Sequence, residues 1–300
     1  MTIAKNKSYV VVNAFAAGPF GGNPAAIFTD AAGLSAETMQ SFARQLNLVE
    51  TVFVLPAEGD ADFRLRYFTP HGEIPVAGHP TIAAWLALIH QQIVNPRERT
   101  NYLQENLAGT QEITIDNSNS AAPLVTMKQP GANFLQTSCS KQEVADVFSI
   151  NVDDIESDLP IESIDTGLGH LIVPLRSLDA LFRVKRQIEP LRTLCQRLKV
   201  REAQLFCFET LKNENDLHTR NLCPREGLED PACGVGSGAL AAYLSKFCWS
   251  DKEQITLQME HGFVVNMPSI IHTRSVCADA HTDIFVGGSG IVMIEGKFLV

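Results

Sequence analysis

Short segments from the first half of this chain recur in the second half, in the same order. Arg66-Tyr67-Phe68-Thr69-Pro70 has an echo in Arg220-Asn221-Leu222-Cys223-Pro224, and Pro75-Val76-Ala77-Gly78 in Pro231-Ala232-Cys233-Gly234. Ala83-Ala84-Trp85-Leu86 matches Ala241-Ala242-Tyr243-Leu244, and Thr51-Val52-Phe53-Val54 matches Gln204-Leu205-Phe206-Cys207. Leu103-Gln104 with Gly109 matches Leu257-Gln258 with Gly262, and every pair is 153 to 158 residues apart. Any one match arises readily by chance, but five collinear ones at nearly one offset indicate a duplication in which each half forms a domain. A length of 300 residues agrees, being too long for one ordinary core. The expected domains are 1–130 and 131–300, with strands near 283–300 exchanging into the first and a linker at Pro130 to Asn133.

Within each half the pattern is strand-rich with few helices, an α/β (α+β) chain. Tyr9 to Asn13, Ala25 to Phe28, Thr51 to Leu55 and Phe63 to Phe68 are β-branched or aromatic runs bounded by Gly, Pro and Asp. Ser35 to Leu46 reads as an amphipathic helix with Ser35 as N-cap and Leu34, Met39, Phe42, Ala43 and Leu46 on one face. Thr81 to Gln91 is apolar almost all round, and such a helix must be enclosed on every side. Strands Glu112 to Asp116 and Leu124 to Lys128 follow it. The second half mirrors this, with an enclosed helix Gly238 to Phe247 and strands at Ile255 to Met259 and Phe263 to Met267. Ser140 with Glu143 forms the pattern of a capping box opening a further helix. The architecture expected is a curved sheet wrapped around a central helix, built twice.

Several function classes are excluded or disfavoured. A net charge of −10 disfavours nucleic acid and anionic membranes as partners, and the only basic cluster, Arg183 to Arg186, reads as a solvated face. The most apolar stretch, Ile82 to Ile89, is far short of the ~20 residues that cross a bilayer, and MTIAKNKSYVVV lacks the apolar region of a signal peptide. Seven scattered cysteines without a Cys-x-x-Cys pair argue against a disulfide framework and a structural zinc site, so a reducing cytoplasm is the expected compartment. Gly234-Val235-Gly236-Ser237-Gly238 lacks both the dinucleotide-binding spacing and the lysine of a P-loop. Neither a cofactor nor a metal is expected.

The two enclosed helices start alike, after Val76-Ala77-Gly78-His79-Pro80 and after Ala232-Cys233-Gly234-Val235. A helix N-terminus offers unsatisfied N–H groups and the positive end of the dipole, and glycine permits close approach. Two readings stand. The starts together grip a carboxylate in a cleft between the domains, or the glycines merely let helix and sheet pack closely. His170, in Asp165-Thr166-Gly167-Leu168-Gly169-His170, occupies the matching place of the second half and is expected to line that cleft.

Asn13-Ala14-Phe15 with Gly21-Gly22-Asn23-Pro24-Ala25, Glu50-Thr51-Val52-Phe53, Arg66-Tyr67-Phe68-Thr69-Pro70, Glu73-Ile74-Pro75, Gly78-His79-Pro80-Thr81 and Glu229-Asp230-Pro231 keep the motif order of a known family. From about residue 8 to the C-terminus the chain resembles the phenazine-biosynthesis PhzF-like isomerases. The resemblance implies the diaminopimelate epimerase-like fold, two pseudo-symmetric domains each with a central helix. It implies a cofactor-independent isomerase that moves a proton within a small carboxylate-bearing metabolite. Glu50 matches the catalytic acid/base carboxylate, His79 the histidine of the first helix start, and Asp230 the Glu-Asp-Pro of the second. Gly78, Cys233, Gly234, Val235 and His170 are the expected substrate-binding positions.

The chain departs from the family pattern at three places. Val49 replaces the usual Ser before the glutamate. Val235 stands where the isomerases of the phenazine precursor usually carry Ser, which puts that particular substrate in doubt. Epimerases of this fold use a cysteine at each helix start; here Cys233 is present, but Ala77 has no acid or base, so two-thiol epimerisation is not available. The alternatives are an amino-acid epimerase or racemase variant using Cys233 with Glu50, and a non-catalytic small-molecule binder on the same scaffold. Cys233 as a small buried hydrophobe is the bland reading of that residue. Placed beside Leu48, Val49 and an apolar strand, Glu50 is expected to be partly desolvated, which disfavours its charged form. The expected partner is a small carboxylate, with a homodimer as the assembly to test.

Overall fold

The computed structural model describes residues 6–225, 229–278 and 281–299. The chain divides into two compact units, one of Met1–Lys128 with Gly287–Val300 and one of Gln129–Val286. In the first unit β1 (Lys7–Ala14) lies antiparallel to β2 (Asn23–Phe28), and β2 runs parallel to β3 (Glu50–Leu55) across the helical connection α1 (Ala36–Leu46). Strand β3 is antiparallel to β4 (Phe63–Thr69), which forms a hairpin with β5 (Gly72–Ile74). After α2 (His79–His90) the chain adds β6 (Asn101–Asn106) parallel to β4, then β7 (Gly109–Asp116) and β8 (Leu124–Gln129) as antiparallel neighbours. The C-terminal strand Gly290–Phe298 pairs antiparallel with β1.

Local chemistry explains the two helices of this unit. Ser35 caps α1 by accepting from the Thr38 N–H, Asn47 ends it in the left-handed conformation, and Met39, Phe42 and Ala43 face inward. Those side chains join Phe28, Leu34, Phe53 and Phe68 in one apolar cluster. Helix α2 is buried from His79 to Leu88 and packs on β1, β2 and β3. Its interior Thr81 and Trp85 are satisfied by a chain of bonds. Trp85 Nε1 donates to Gln104 Oε1 at 2.6 Å, Gln104 Nε2 donates to the Tyr67 hydroxyl at 3.0 Å, and that hydroxyl is 2.6 Å from Thr81 Oγ1.

The second unit comprises β9 (Asn133–Leu135), α3 (Lys141–Phe148), β10 (Glu162–Asp165), β11 (Gly169–Pro174), α4 (Leu178–Arg183), α5 (Ile188–Leu198), β12 (Glu202–Cys207), β13 (Leu217–Leu222), α6 (Gly234–Phe247), β14 (Gln254–His261), β15 (Ser269–Ala278) and β16 (His281–Gly288). Its pairing repeats that of the first unit step by step. Strand β10 is antiparallel to β11, β11 parallel to β12, β12 antiparallel to β13, β13 parallel to β14, and β14 antiparallel to β15. Helix α6, buried nearly throughout, packs on β10, β11, β12 and β15 as α2 does on its strands. An Arg–Glu pair also recurs. Arg66 holds Glu73 with two 2.7 Å bonds, and Arg220 holds Glu229 at 2.9 and 2.8 Å.

Three expectations shift. Phe263 to Met267 is no strand; Phe263–Val265 is one turn of 3₁₀ helix between Gly262 and Asn266, both left-handed, and β15 follows it. Only half of the capping box forms, because Ser140 accepts from the Glu143 N–H while the Glu143 carboxylate pairs with Arg197 instead. Helix α6 begins four residues earlier than expected, at Gly234, with Cys233 as its cap, and its glycines lie where side chains would collide with their neighbours. A Cβ on Gly236 would lie 2.5 Å from Gln204 Oε1 and 3.0 Å from Asn221 Nδ2. Among the described residues no helix is long and apolar enough to cross a membrane.

Candidate active site

In the first unit, β3 and α2 bring together the expected acid/base and its partner. Glu50 is the first residue of β3 and His79 the first of α2, with Gly78 as the N-cap. His79 Nε2 lies 3.2 Å from Glu50 Oε2, and the two side chains are 8% and 16% exposed. Burial pushes the His79 imidazole down to about 3, against the opposing effect of a hydrogen bond it makes to the Pro24 carbonyl. The ring is therefore neutral at physiological pH. With one ring nitrogen donating to Pro24, the other presents a lone pair towards the Glu50 carboxyl, and a single proton can be shared between them. Val49, expected to desolvate Glu50, is itself 57% exposed. The start of α2 lies against Glu50 through His79.

The second unit gathers Asp230, Cys233, Gly234, Val235 and His170 around the start of α6. Cys233 is the N-cap, and its thiol accepts from the Gly236 N–H at 3.3 Å, while the Ser237 N–H goes to the Cys233 carbonyl at 3.1 Å. These two donors are thereby committed, and the Val235 carbonyl accepts from Thr166 Oγ1 at 3.4 Å. Asp230 Oδ1 accepts from the Ala232 N–H at 2.9 Å. Burial and the neighbouring Glu202 charge push the Asp230 carboxyl up to about 6, against the pull of that N–H, Arg225 and His170. Burial, with the Asp230 and Glu202 charges, pushes the Cys233 thiol well above its ordinary value. In this environment Cys233 is a protonated thiol and a weak base. Ala77, its counterpart in the first unit, carries no titratable group.

Glu202 is the residue sequence reasoning missed. It is the first residue of β12, 3% exposed, and His170 of β11 stands directly opposite it in the parallel ladder. Burial works against its ionisation, but the hydrogen bond and charge of His170, with Arg225 and Arg201, outweigh that and hold its carboxyl below the usual range. Strand register shows why it was overlooked. Arg66 stands opposite Phe53 and Arg220 opposite Leu205, so Glu50 corresponds to Glu202. Matching Thr51 with Gln204 in the sequence slips this strand by one residue and places Ala203 at the position of Glu50. In a strand such a slip moves every side chain to the other face.

A model of the family described as phenazine biosynthesis-like protein, PhzC-PhzF, matches residues 12–296. Antisense-enhancing sequence 1 of Schizosaccharomyces pombe is 30% identical to the chain over 98% of its length and 99% of the relative's. The trans-2,3-dihydro-3-hydroxyanthranilate isomerase of Pseudomonas aeruginosa is 30% identical over 96% of this chain and 98% of its own. Among solved structures, the Bacillus anthracis phenazine biosynthesis protein of the PhzF family matches with a TM-score of 0.91 at 28% identity, covering 99% of this chain and 100% of that one. The repeated strand order and the enclosed helices agree with these likenesses, and the chain belongs to the phenazine biosynthesis-like PhzC-PhzF family and is an isomerase.

Proposed function

We propose that the chain moves a proton within a small carboxylate-bearing metabolite, with Glu50 as the acid/base. The observation that carries this reading is the enclosed pair of Glu50 and a neutral His79 at 3.2 Å. A proton taken from carbon by the Glu50 carboxylate is stabilised by the lone pair of the adjacent ring, which cannot itself become cationic near neutral pH. The pair thus holds the proton without losing it to water and returns it at a second carbon. Asp230, with a carboxyl near 6, is assigned the part of a hydrogen-bonding or proton-relaying group able to give or take a proton near neutrality. Gly78, Gly234, Val235, Cys233 and His170 are assigned to substrate binding, with the starts of α2 and α6 favouring an anionic group. Val235 has no hydroxyl to offer, so the substrate named for the Pseudomonas relative is a test compound rather than the assigned one. A reducing cytoplasm suits seven free cysteines, and a homodimer is the assembly to test.

The test is hydrogen–deuterium exchange in heavy water, followed by NMR over a panel of small unsaturated and amino carboxylates that includes trans-2,3-dihydro-3-hydroxyanthranilate. Glu50→Gln keeps the size and one acceptor but cannot carry the proton. It is expected to slow exchange at the reacting carbon by about 10² to 10⁴ while leaving binding largely intact. Exchange at the wild-type rate in that variant would make Glu50 structural.

A further inference from the structure

Among the described residues, one group of histidine, cysteine and carboxylate donor atoms close enough to share an ion lies between β11, β12 and the start of α6. His170 Nε2, Glu202 Oε2 and Cys233 Sγ all lie within 4.8 Å of one another, and all three residues are buried. Their separations are 3.6 Å for sulfur to nitrogen, 4.0 Å for sulfur to oxygen and 3.7 Å for nitrogen to oxygen. Ligands at zinc bond lengths of ~2.0 to 2.3 Å in tetrahedral directions stand roughly 3.3 to 3.6 Å apart. A contraction of a few tenths of an ångström closes this triangle on one ion.

Each donor is also held from behind. His170 Nδ1 is 2.9 Å from the Leu168 carbonyl, which leaves Nε2 as the ring nitrogen that faces the sulfur and the carboxylate. Glu202 Oε1 accepts from Arg225 Nη2 at 2.5 Å, leaving Oε2 for the cluster. Cys233 Sγ accepts the Gly236 N–H at 3.3 Å. Outer hydrogen bonds that orient a histidine, a carboxylate and a thiolate are the usual support of metal ligands.

We propose that His170, Glu202 and Cys233 bind one divalent cation of the zinc class, with a fourth coordination position open to water or to a small ligand. The donor set of imidazole, thiolate and one carboxylate oxygen selects zinc or cobalt over magnesium or calcium, which take oxygen donors. Binding replaces the thiol proton and any proton that His170 Nε2 carries towards Glu202: each metal–ligand bond forms as the S–H or N–H bond breaks, and each proton leaves to solvent. The site draws its ligands from three separate elements, so it has no signature in cysteine spacing. It does not depend on the assignment of Glu50, it gives His170 and Cys233 a metal as their ligand where the proposed function gives them substrate, and it is tested without any substrate.

The full chain, freed of metal by chelation and dialysis, is titrated with Co²⁺. One equivalent per chain should produce tetrahedral visible bands and a near-ultraviolet sulfur-to-cobalt charge-transfer band, both displaced by Zn²⁺. Cys233→Ser, close in size, should abolish the charge-transfer band, and His170→Ala should abolish stoichiometric binding, with circular dichroism confirming that each variant is folded. Arg225→Ala keeps all three ligands but releases the outer oxygen of Glu202, and should weaken binding about 10- to 100-fold. If a variant fails to fold, the wild type decides alone: crystals soaked in Zn²⁺ should show an anomalous peak within bonding distance of the three donor atoms. No charge-transfer band in the wild type, a full band persisting in Cys233→Ser, or an anomalous peak elsewhere only would overturn the proposal and leave the three groups as a hydrogen-bonded cluster.

Discussion

At the scale of single residues, the helix starts are governed by what little room the sheet leaves. Gly236 faces Gln204 and Asn221, whose side chains bond to each other at 3.0 Å and are fully buried. A methyl group there must displace that pair, so Gly236→Ala is expected to cost about 1 to 3 kcal/mol, read as a lower melting temperature. An unchanged melting temperature would mean that the glycine serves ligand approach alone. The close-packing reading of the glycines therefore holds at this position, whatever else the helix start does. Glu260 shows the opposite economy. Fully buried, it accepts from the Leu211 and Lys212 N–H groups, from Asn215 and from His218, the shortest contact being 2.6 Å. Glu260→Gln puts an amide donor against these donors and is expected to destabilise the fold by about 3 kcal/mol or more in chemical denaturation.

At the scale of elements, α2 and β14 each carry a histidine that burial keeps neutral. His79 at the start of α2 and His261 at the end of β14 are both pushed down to about 3, first of all by burial. Their unfolded value is about 6.5, so between these limits the unfolded chain binds more protons than the folded one. Stability from this source is complete above about pH 6.5 and is lost as pH falls towards 3. The slope approaches about 1.4 kcal/mol per pH unit for each histidine in mid-window. His79→Asn and His261→Asn should each flatten the acid limb of a stability-versus-pH curve, even where they lower stability overall. An acid limb of unchanged steepness in both variants would remove these rings as its cause.

At the scale of the whole molecule, the first unit is completed by the last strand of the chain. Gly290–Phe298 runs along β1 from Ala14 to Lys7, and Phe298 brings its ring within 4.5 Å of Phe42 and 5.5 Å of Tyr9, centroid to centroid. Deleting residues 290–300 strips β1 of this neighbour and opens the aromatic cluster. Amide exchange should then lose protection across β1 to β8 and α2, while α3 to α6 keep theirs. Equal loss in both units would show that the two do not fold as separate cores. The second unit has its own core, in which α3, α4 and α5 pack on β11 and β12 through Phe148, Leu181 and Leu194.

Repetition and period were legible without coordinates. The five echoes announce two copies, and the all-round apolarity of residues 81–91 announces an enclosed helix, because both are properties of residue order alone. The pairing of Glu50 with His79 was legible only through family likeness, since 29 residues separate them and no local pattern links a strand start to a helix start. Glu202 was not legible at all. Its place depends on strand register, a choice that a short echo leaves open by one residue and that the ladder closes by hydrogen bonding Arg220 opposite Leu205. The false strand at 263–267 failed for a related reason. Phe263, Val264 and Val265 have strand composition, but left-handed Gly262 and Asn266 turn the chain between β14 and β15. Composition and period belong to the chain; register, and with it which carboxylate meets which histidine, belongs to tertiary contacts.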